Sequence, residues 1–146
     1  MPTNILIIDD DTAITELMTM LLKTHGFEVK TANSADEGIQ SVQDHAPSVV
    51  ILDLMMPEKD GWAFCKSVRT FSSVPILVLS AINDPRKIAS ILDEGADDYL
   101  VKPVPSNVLV AHLRKLVRRT GGLITDPLKN PPSSSPGTQP LSSLPS

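Results

Sequence analysis

Over the first 120 residues, short apolar stretches alternate with segments of helical periodicity. Ile5–Ile8, Val49–Leu52 and Ile76–Leu79 are unbroken runs of aliphatic residues, the pattern of strands covered on both faces. Phe27-Glu28-Val29-Lys30-Thr31 alternates apolar and polar, which suits a strand at a sheet edge. Asp98–Val101 reads as a fifth, weaker strand. Between these runs, Ile14, Leu17, Met18, Leu21 and Leu22 recur at helical spacing, and Gly26 ends that segment. Ser34-Ala35-Asp36-Glu37 has the spacing of a capping box and opens a second helix. Asp60 can cap a third, which buries Phe64, Cys65 and Val68. Asp84-Pro85 places an N-cap before a proline at the first helical position. That helix is expected to bury Ile88, Ile91 and Leu92 and to stop at Gly95. Ser106 can cap the last helix, which carries Leu109, Leu113, Leu116 and Val117.

Strands and helices in strict alternation predict an α/β domain: a parallel sheet with helices on both faces. Composition agrees, with 41% apolar residues in 146. It also sets a boundary. The 26 residues from Gly121 hold six of the 13 prolines and six serines, too little apolar matter for a core, so residues 121–146 read as a Pro/Ser-rich disordered linker or tail. A proline-rich ligand is disfavoured, because Pro131-Pro132 lacks the usual flanking pattern. The domain is therefore expected to span residues 1–120.

Charge removes some partners. Thirteen basic and 17 acidic residues give a net charge of −4, which offers no basic footprint for nucleic acid. There is no signal peptide and no apolar run long enough to span a bilayer, so the expectation is a cytoplasmic protein with no membrane partner. The single cysteine, Cys65, lies in helical register with Phe64 and Val68 and has no neighbouring histidine or CxxC partner. It reads as a buried core thiol and not a reactive one.

In an open parallel sheet, ligands bind beyond the carboxyl ends of the strands, where the strand order reverses. The residues just after each apolar run are Asp9, Asp10 and Asp11, then Asp53, then Ser80, then Lys102 and Pro103. Each alone is ordinary, since an aspartate there usually caps a helix and a serine usually forms a turn. Asp11 is read as such a cap. Together they converge on one crevice. Three carboxylates in one pocket repel one another unless a cation intervenes. A hard divalent ion such as Mg²⁺ takes carboxylate oxygens, and Lys102 adds a fixed positive charge. With the Ser80 hydroxyl, the set suits phosphoryl chemistry on a carboxylate.

The segments IIDD (7–10), LDLMMPEKDG (52–61), VLSA (78–81) and DDYLVKP (97–103) resemble the receiver domain of two-component response regulators. The resemblance covers residues 3–119. It implies a flavodoxin-like, doubly wound sheet in the order 2-1-3-4-5. It implies that Asp53 accepts a phosphoryl group from a sensor histidine kinase or phosphotransfer protein. It implies Mg²⁺ held by Asp10, Asp53 and the Met55 backbone carbonyl, with Asp9 on a metal-bound water. Ser80 would bond the phosphoryl oxygens, Lys102 would pair with them across a cis Lys102–Pro103 bond, and Tyr99 would be the switch aromatic. Ala81 is small, as the family requires beside the phosphoryl group. Activity would be limited to self-catalysed phosphotransfer and slow dephosphorylation, not turnover of an external substrate.

Within that family, DDYLVKP and the Arg118-Arg119 helix end are most similar to receivers that precede a winged-helix domain. Those dimerise through a charged face formed by the fourth helix, fifth strand and fifth helix. Asp97, Asp98, Arg114 and Arg119 are kept here, whereas Ile88 and Val108 replace a basic–acidic pair and His112 replaces an arginine. These departures set the usual charged dimer aside: Ile88 and Val108 either replace the lost pair with an apolar contact between two copies or face a different partner. A winged helix needs far more than 26 residues, so the chain is expected to be a stand-alone receiver or part of a longer regulator. Two alternatives are weighed. A phosphatase of the haloacid dehalogenase type also uses an aspartate, Mg²⁺, a serine and a lysine, but leaves Asp53 and the Lys-Pro step unexplained. A phosphorylation-independent module of the same fold would have little use for Asp53 and Lys102.

Overall fold

The computed structural model describes residues 3–55 and 61–125. In chain order the elements are β1 (Asn4–Ile8), α1 (Thr12–Thr24), β2 (Glu28–Ala32), α2 (Ala35–His45), β3 (Val49–Leu52), α3 (Gly61–Val68), β4 (Ile76–Ser80), α4 (Pro85–Glu94), β5 (Asp98–Val101) and α5 (Ser106–Thr125). The strands form one parallel sheet in the order β2-β1-β3-β4-β5. This is the expected α/β architecture and strand order. Residues up to Arg114 group as one compact unit, and Lys115 begins a second, whose described part is helical to Thr125.

The unbroken aliphatic runs occupy the middle of the sheet because only there are both faces covered. Every residue of β3 and β4 is buried. Phe64, Cys65 and Val68 of α3 and Ile91 of α4 are fully buried within the same cluster as Leu52, Ile76 and Val78. The Cys65 thiol is pushed up to about 12 by that burial, which makes it an inert core group at neutral pH.

The helix starts follow side-chain capping. Asp11 caps α1, its Oδ1 accepting from the amides of Ala13 and Ile14 at 3.0 and 3.3 Å. Asp84 caps α4 with Pro85 following. Ser34 caps α2 by accepting from Glu37 N at 3.1 Å. Glu37 reaches back one residue further than a simple capping box, to the Asn33 amide at 2.7 Å. Asp60 lies outside the described residues. α5 begins at Ser106 itself, and the carbonyl that takes its first helical amides is that of Pro105, so Ser106 is not the cap.

Three details depart from the periodicity. On α1, Leu17 is 64% exposed while Thr15 is buried. Thr15 tolerates burial because its hydroxyl donates to the Thr12 carbonyl at 2.9 Å. On α4, Leu92 is 39% exposed and Ile91 carries the packing, with Ile88 half-buried. α5 runs through Gly121 and Gly122 to Thr125, past the composition break at 120. Extending a formed helix costs little per residue, and the first proline of the tail is Pro127. Of the expected tail, residues 126–146 lie outside the described residues.

Candidate functional site

The sheet register assembles the site. Ile8 pairs with Leu52 across β1 and β3, so Asp9 and Asp53, the next residue of each strand, emerge side by side. Their backbones remain tied to the sheet: the Asp9 amide donates to Ala32 O at 3.1 Å and the Asp53 amide to Ile8 O at 3.0 Å. Ser80 pairs with Val101 across β4 and β5, and the Lys102 amide donates to Ser80 O at 2.9 Å. Asp9, Asp53, Ser80 and Lys102 thus follow from where four strands end.

Asp9, Asp10 and Asp53 each present a carboxylate oxygen, all within 4.8 Å of one another. Asp9 is buried, Asp53 half-buried and Asp10 exposed. Burial raises the Asp9 carboxyl above its ordinary value. The hydrogen bond from the Asp11 amide and the Lys102 charge pull it back, while the charges of Asp53 and Asp10 push it further up. The Lys102 ammonium lies 3.8 Å from Asp9 Oδ2, so one cation faces three acids. That unbalanced negative charge, on hard oxygen donors with Asp10 open to solvent, fits a hydrated divalent cation such as Mg²⁺. Among the described residues this is the one cluster of three acidic, histidine or cysteine ligands of such geometry.

The Met55 amide donates to Asp53 Oδ1 at 3.2 Å, and Met55 is 60% exposed. Ser80 is completely buried, and its Oγ accepts from the Ile82 amide at 3.2 Å. Tyr99 is half-buried against the core, with its hydroxyl donating to the Ile82 carbonyl at 2.7 Å. Burial raises the Tyr99 hydroxyl above its ordinary value, the neighbouring Ser80 hydroxyl lowers it, and the Asp53 charge adds to the rise. The Lys102–Pro103 bond is cis. A chain of contacts therefore runs from Ser80 through Ile82 to Tyr99 on β5.

The residues named for the outer face are placed differently. Asp97 Oδ2 accepts from Arg69 Nη2 at 2.9 Å and from the Ile76 amide at 2.8 Å. Asp98 Oδ2 lies 2.6 Å from His112 Nδ1. Val108 is 38% exposed and Arg114 is exposed. Arg119 belongs to the helical continuation of α5 beyond residue 114.

Two residues with clear roles were not among the candidates read from the sequence. Arg69, at the end of α3, donates through all three nitrogens to Gly95 O, Ser72 O, Val74 O and Asp97. Gly95 has φ of 137°, and a Cβ there would stand 2.8 Å from Arg69 Cγ, so both the backbone and the guanidinium require glycine. Asn33, just past β2, donates from Nδ2 to the Asp9 carbonyl at 3.1 Å. Its position directly after a strand and before a capping serine was the available hint.

The family model for the response regulator receiver domain matches residues 5–114. The chain is 39% identical over 116 residues to the transcriptional regulatory protein AfsQ1 of Streptomyces coelicolor, covering 80% of this chain and 52% of that protein. It is 40% identical over 121 residues to the response regulator MprA of a Mycobacterium species, covering 82% and 53%. The chain thus spans about half the length of these curated relatives. Its fold is similar to the BeF3-activated N-terminal receiver domain of Klebsiella pneumoniae RstA, with 30% identity, a TM-score of 0.76, and coverage of 80% and 99%. A two-component response regulator from Clostridium difficile matches at 30% identity and a TM-score of 0.77, covering 81% and 98%.

Proposed function

Because the chain belongs to the response regulator receiver family, we propose that it is the phosphoacceptor switch of a His-Asp phosphorelay, with Asp53 as the acceptor. The observation that carries this reading is the set of three carboxylates within 4.8 Å with Lys102 beside them at the carboxyl edge. Family membership displaces the phosphatase alternative.

Asp10 and Asp53, with the Met55 carbonyl, would hold Mg²⁺, and Asp9 would act through a metal-bound water. When bound, the ion offsets the acids' repulsion and the charge of the incoming phosphoryl group. An Asp53 carboxylate oxygen attacks phosphorus, the phosphorus–nitrogen bond to the donor histidine breaks, and an aspartyl phosphate remains. Lys102 exchanges Asp9 for a phosphoryl oxygen. The Ser80 hydroxyl gives up the Ile82 amide and donates to another. Tyr99 already has its hydroxyl on the Ile82 carbonyl, and the withdrawal of Ser80 toward the phosphoryl group would hold it there. Phosphorylation would thus fix the population in this turned-in tyrosine and set the α4–β5–α5 face. A sensor histidine kinase or phosphotransfer protein is the donor partner, and a second copy of the chain is the partner for that face. The chain's own chemistry is confined to taking and slowly losing one phosphoryl group.

Acetyl phosphate with Mg²⁺ should add one phosphoryl group, read as intact mass. Asp53→Asn should add none, and chelating the metal should stop the wild-type reaction. Labelling retained in Asp53→Asn would overturn the assignment.

A further inference from the structure

Asp10 is the exposed member of the acidic platform, and among the described residues no side chain holds its carboxylate. Its direction is set by its two flanking peptide planes. The plane between Asp10 and Asp11 is fixed by the Asp11 amide, which donates to Asp9 Oδ1 at 3.0 Å. The plane between Asp9 and Asp10 carries the Asp9 carbonyl, and that carbonyl accepts from Asn33 Nδ2 at 3.1 Å. Asn33 reaches this atom from 24 residues away, across the β2–α2 junction.

Asn33 is itself held. Its amide donates to Glu37 Oε1 at 2.7 Å, and the Glu37 amide donates to Ser34 Oγ at 3.1 Å. The α2 cap thus fixes Asn33, Asn33 fixes the Asp9–Asp10 peptide, and that peptide aims Asp10. We propose that Asn33 is a positioning residue for the divalent-cation site, and that Glu37 acts through it. The inference rests on the cation-binding part of the proposed function and goes beyond it, since neither residue would touch the ion.

The physical reason is preorganisation. A hydrated divalent ion is bound by few protein oxygens at fixed directions, so a free peptide plane lets Asp10 swing and lowers affinity without removing a ligand. Partners one step behind metal ligands typically change metal affinity by about 10–100-fold. A backbone-directed contact on an exposed side chain belongs at the lower end.

The test uses Mg²⁺ alone with the unphosphorylated full chain, followed by calorimetry or by Trp62 fluorescence. Asn33→Leu, similar in size but without a donor, should raise the half-saturating Mg²⁺ concentration by roughly tenfold. The metal-free melting temperature should stay within a degree or two of wild type. Glu37→Ala should move affinity the same way. Asn33→Leu/Glu37→Ala should cost no more than Asn33→Leu alone, because the two act in series. Unchanged Mg²⁺ affinity in Asn33→Leu overturns the proposal, and so do additive losses in the double variant. Should Asn33→Leu melt much lower, Glu37→Ala decides alone: wild-type affinity there overturns it. If the wild type binds no Mg²⁺, or Asp10→Asn binds as well as wild type, the cation reading fails, and the inference with it.

Discussion

Nδ1 of His112 on α5 lies 2.6 Å from Oδ2 of Asp98 on β5. The other Asp98 oxygen accepts the Tyr99 amide at 2.9 Å. The acid is thus engaged within its own chain, as is Asp97 by Arg69. Two carboxylates expected to reach across to a second copy are both held in cis. The Asp98–His112 contact, with side chains 22% and 30% exposed, ties α5 to the strand that carries Tyr99. His112→Ala should cost about 0.5–1 kcal/mol in denaturant unfolding, and His112→Arg should recover most of that. A loss in Arg equal to that in Ala would mean the contact to Asp98 contributes nothing.

Self-association through this face should then be apolar. Ile88 is half-buried, while Leu92 and Val108 are 39% and 38% exposed. With a beryllofluoride mimic in place, sedimentation should show association that survives an increase in salt, because screening acts on charges and not on apolar contact. Ile88→Glu should weaken it by about tenfold or more, which is 1.4 kcal/mol. Dissociation on adding salt alone would point back to ion pairs.

Asp9 gives a pH prediction. Its folded carboxyl titrates above its ordinary value because of burial, with Asp53 adding to the effect. The ionised form is therefore penalised by folding. Stability from this residue is full below the ordinary aspartate range and is lost as pH rises through the raised folded value. At neutral pH without metal, Asp9→Asn should raise the melting temperature by a few degrees. The gain should vanish at low pH, where wild-type Asp9 is protonated. A variant melting below wild type at neutral pH would contradict this, and melting scans across pH with chelator present provide the check.

The phosphoryl group, once on Asp53, should be slow to leave. Met55 and Ile82 stand two places after Asp53 and Ser80, and neither side chain can orient a water. Met55 is 60% exposed and Ile82 packs against the core. A positioned general base is worth roughly a hundredfold or more. Replacing Met55 with Asn and Ile82 with Glu should speed decay at least tenfold, measured by intact mass after the donor is removed. Equal decay rates would show that these side chains do not govern it.

Ala46 closes α2 in the left-handed region, at φ 45° and ψ 62°. A Cβ there costs roughly 1–2 kcal/mol, partly offset by the entropy glycine adds to the unfolded chain. Ala46→Gly should therefore stabilise the domain by about 0.5–1 kcal/mol in denaturant unfolding. A destabilised variant would mean the conformation is not held in solution.

Much of this was legible in order of residue type alone. Ile5–Ile8, Val49–Leu52 and Ile76–Leu79 mark central strands because only doubly covered strands tolerate such runs. The acids and the lysine that follow them land together because parallel strands deliver their ends to one edge. Leu92 was misjudged because periodicity cannot tell which face of a helix its neighbours cover. Thr15 escaped notice because its burial depends on a bond to its own helix. Asn33 and Arg69 were missed because each acts mainly on backbone carbonyls, and a carbonyl's place in the fold is not written in residue type.

Arg69 also bears on the order in which the domain can assemble. α4 ends on Asp93 and Glu94 with no basic residue in its last turn, so two negative charges sit at the end where the helix dipole is already negative. The compensating cation arrives from α3, with Nε and Nη2 of Arg69 on the Gly95 carbonyl at 3.1 and 2.7 Å. A segment of ten residues is too short to be stable alone in water, and this one opposes its own dipole. A peptide spanning residues 84–96 should therefore be mostly coil by circular dichroism. In the folding chain α4 should therefore be a late element, completed once α3 has docked and brought its guanidinium within reach; a φ-value near one for Ile91 would contradict this.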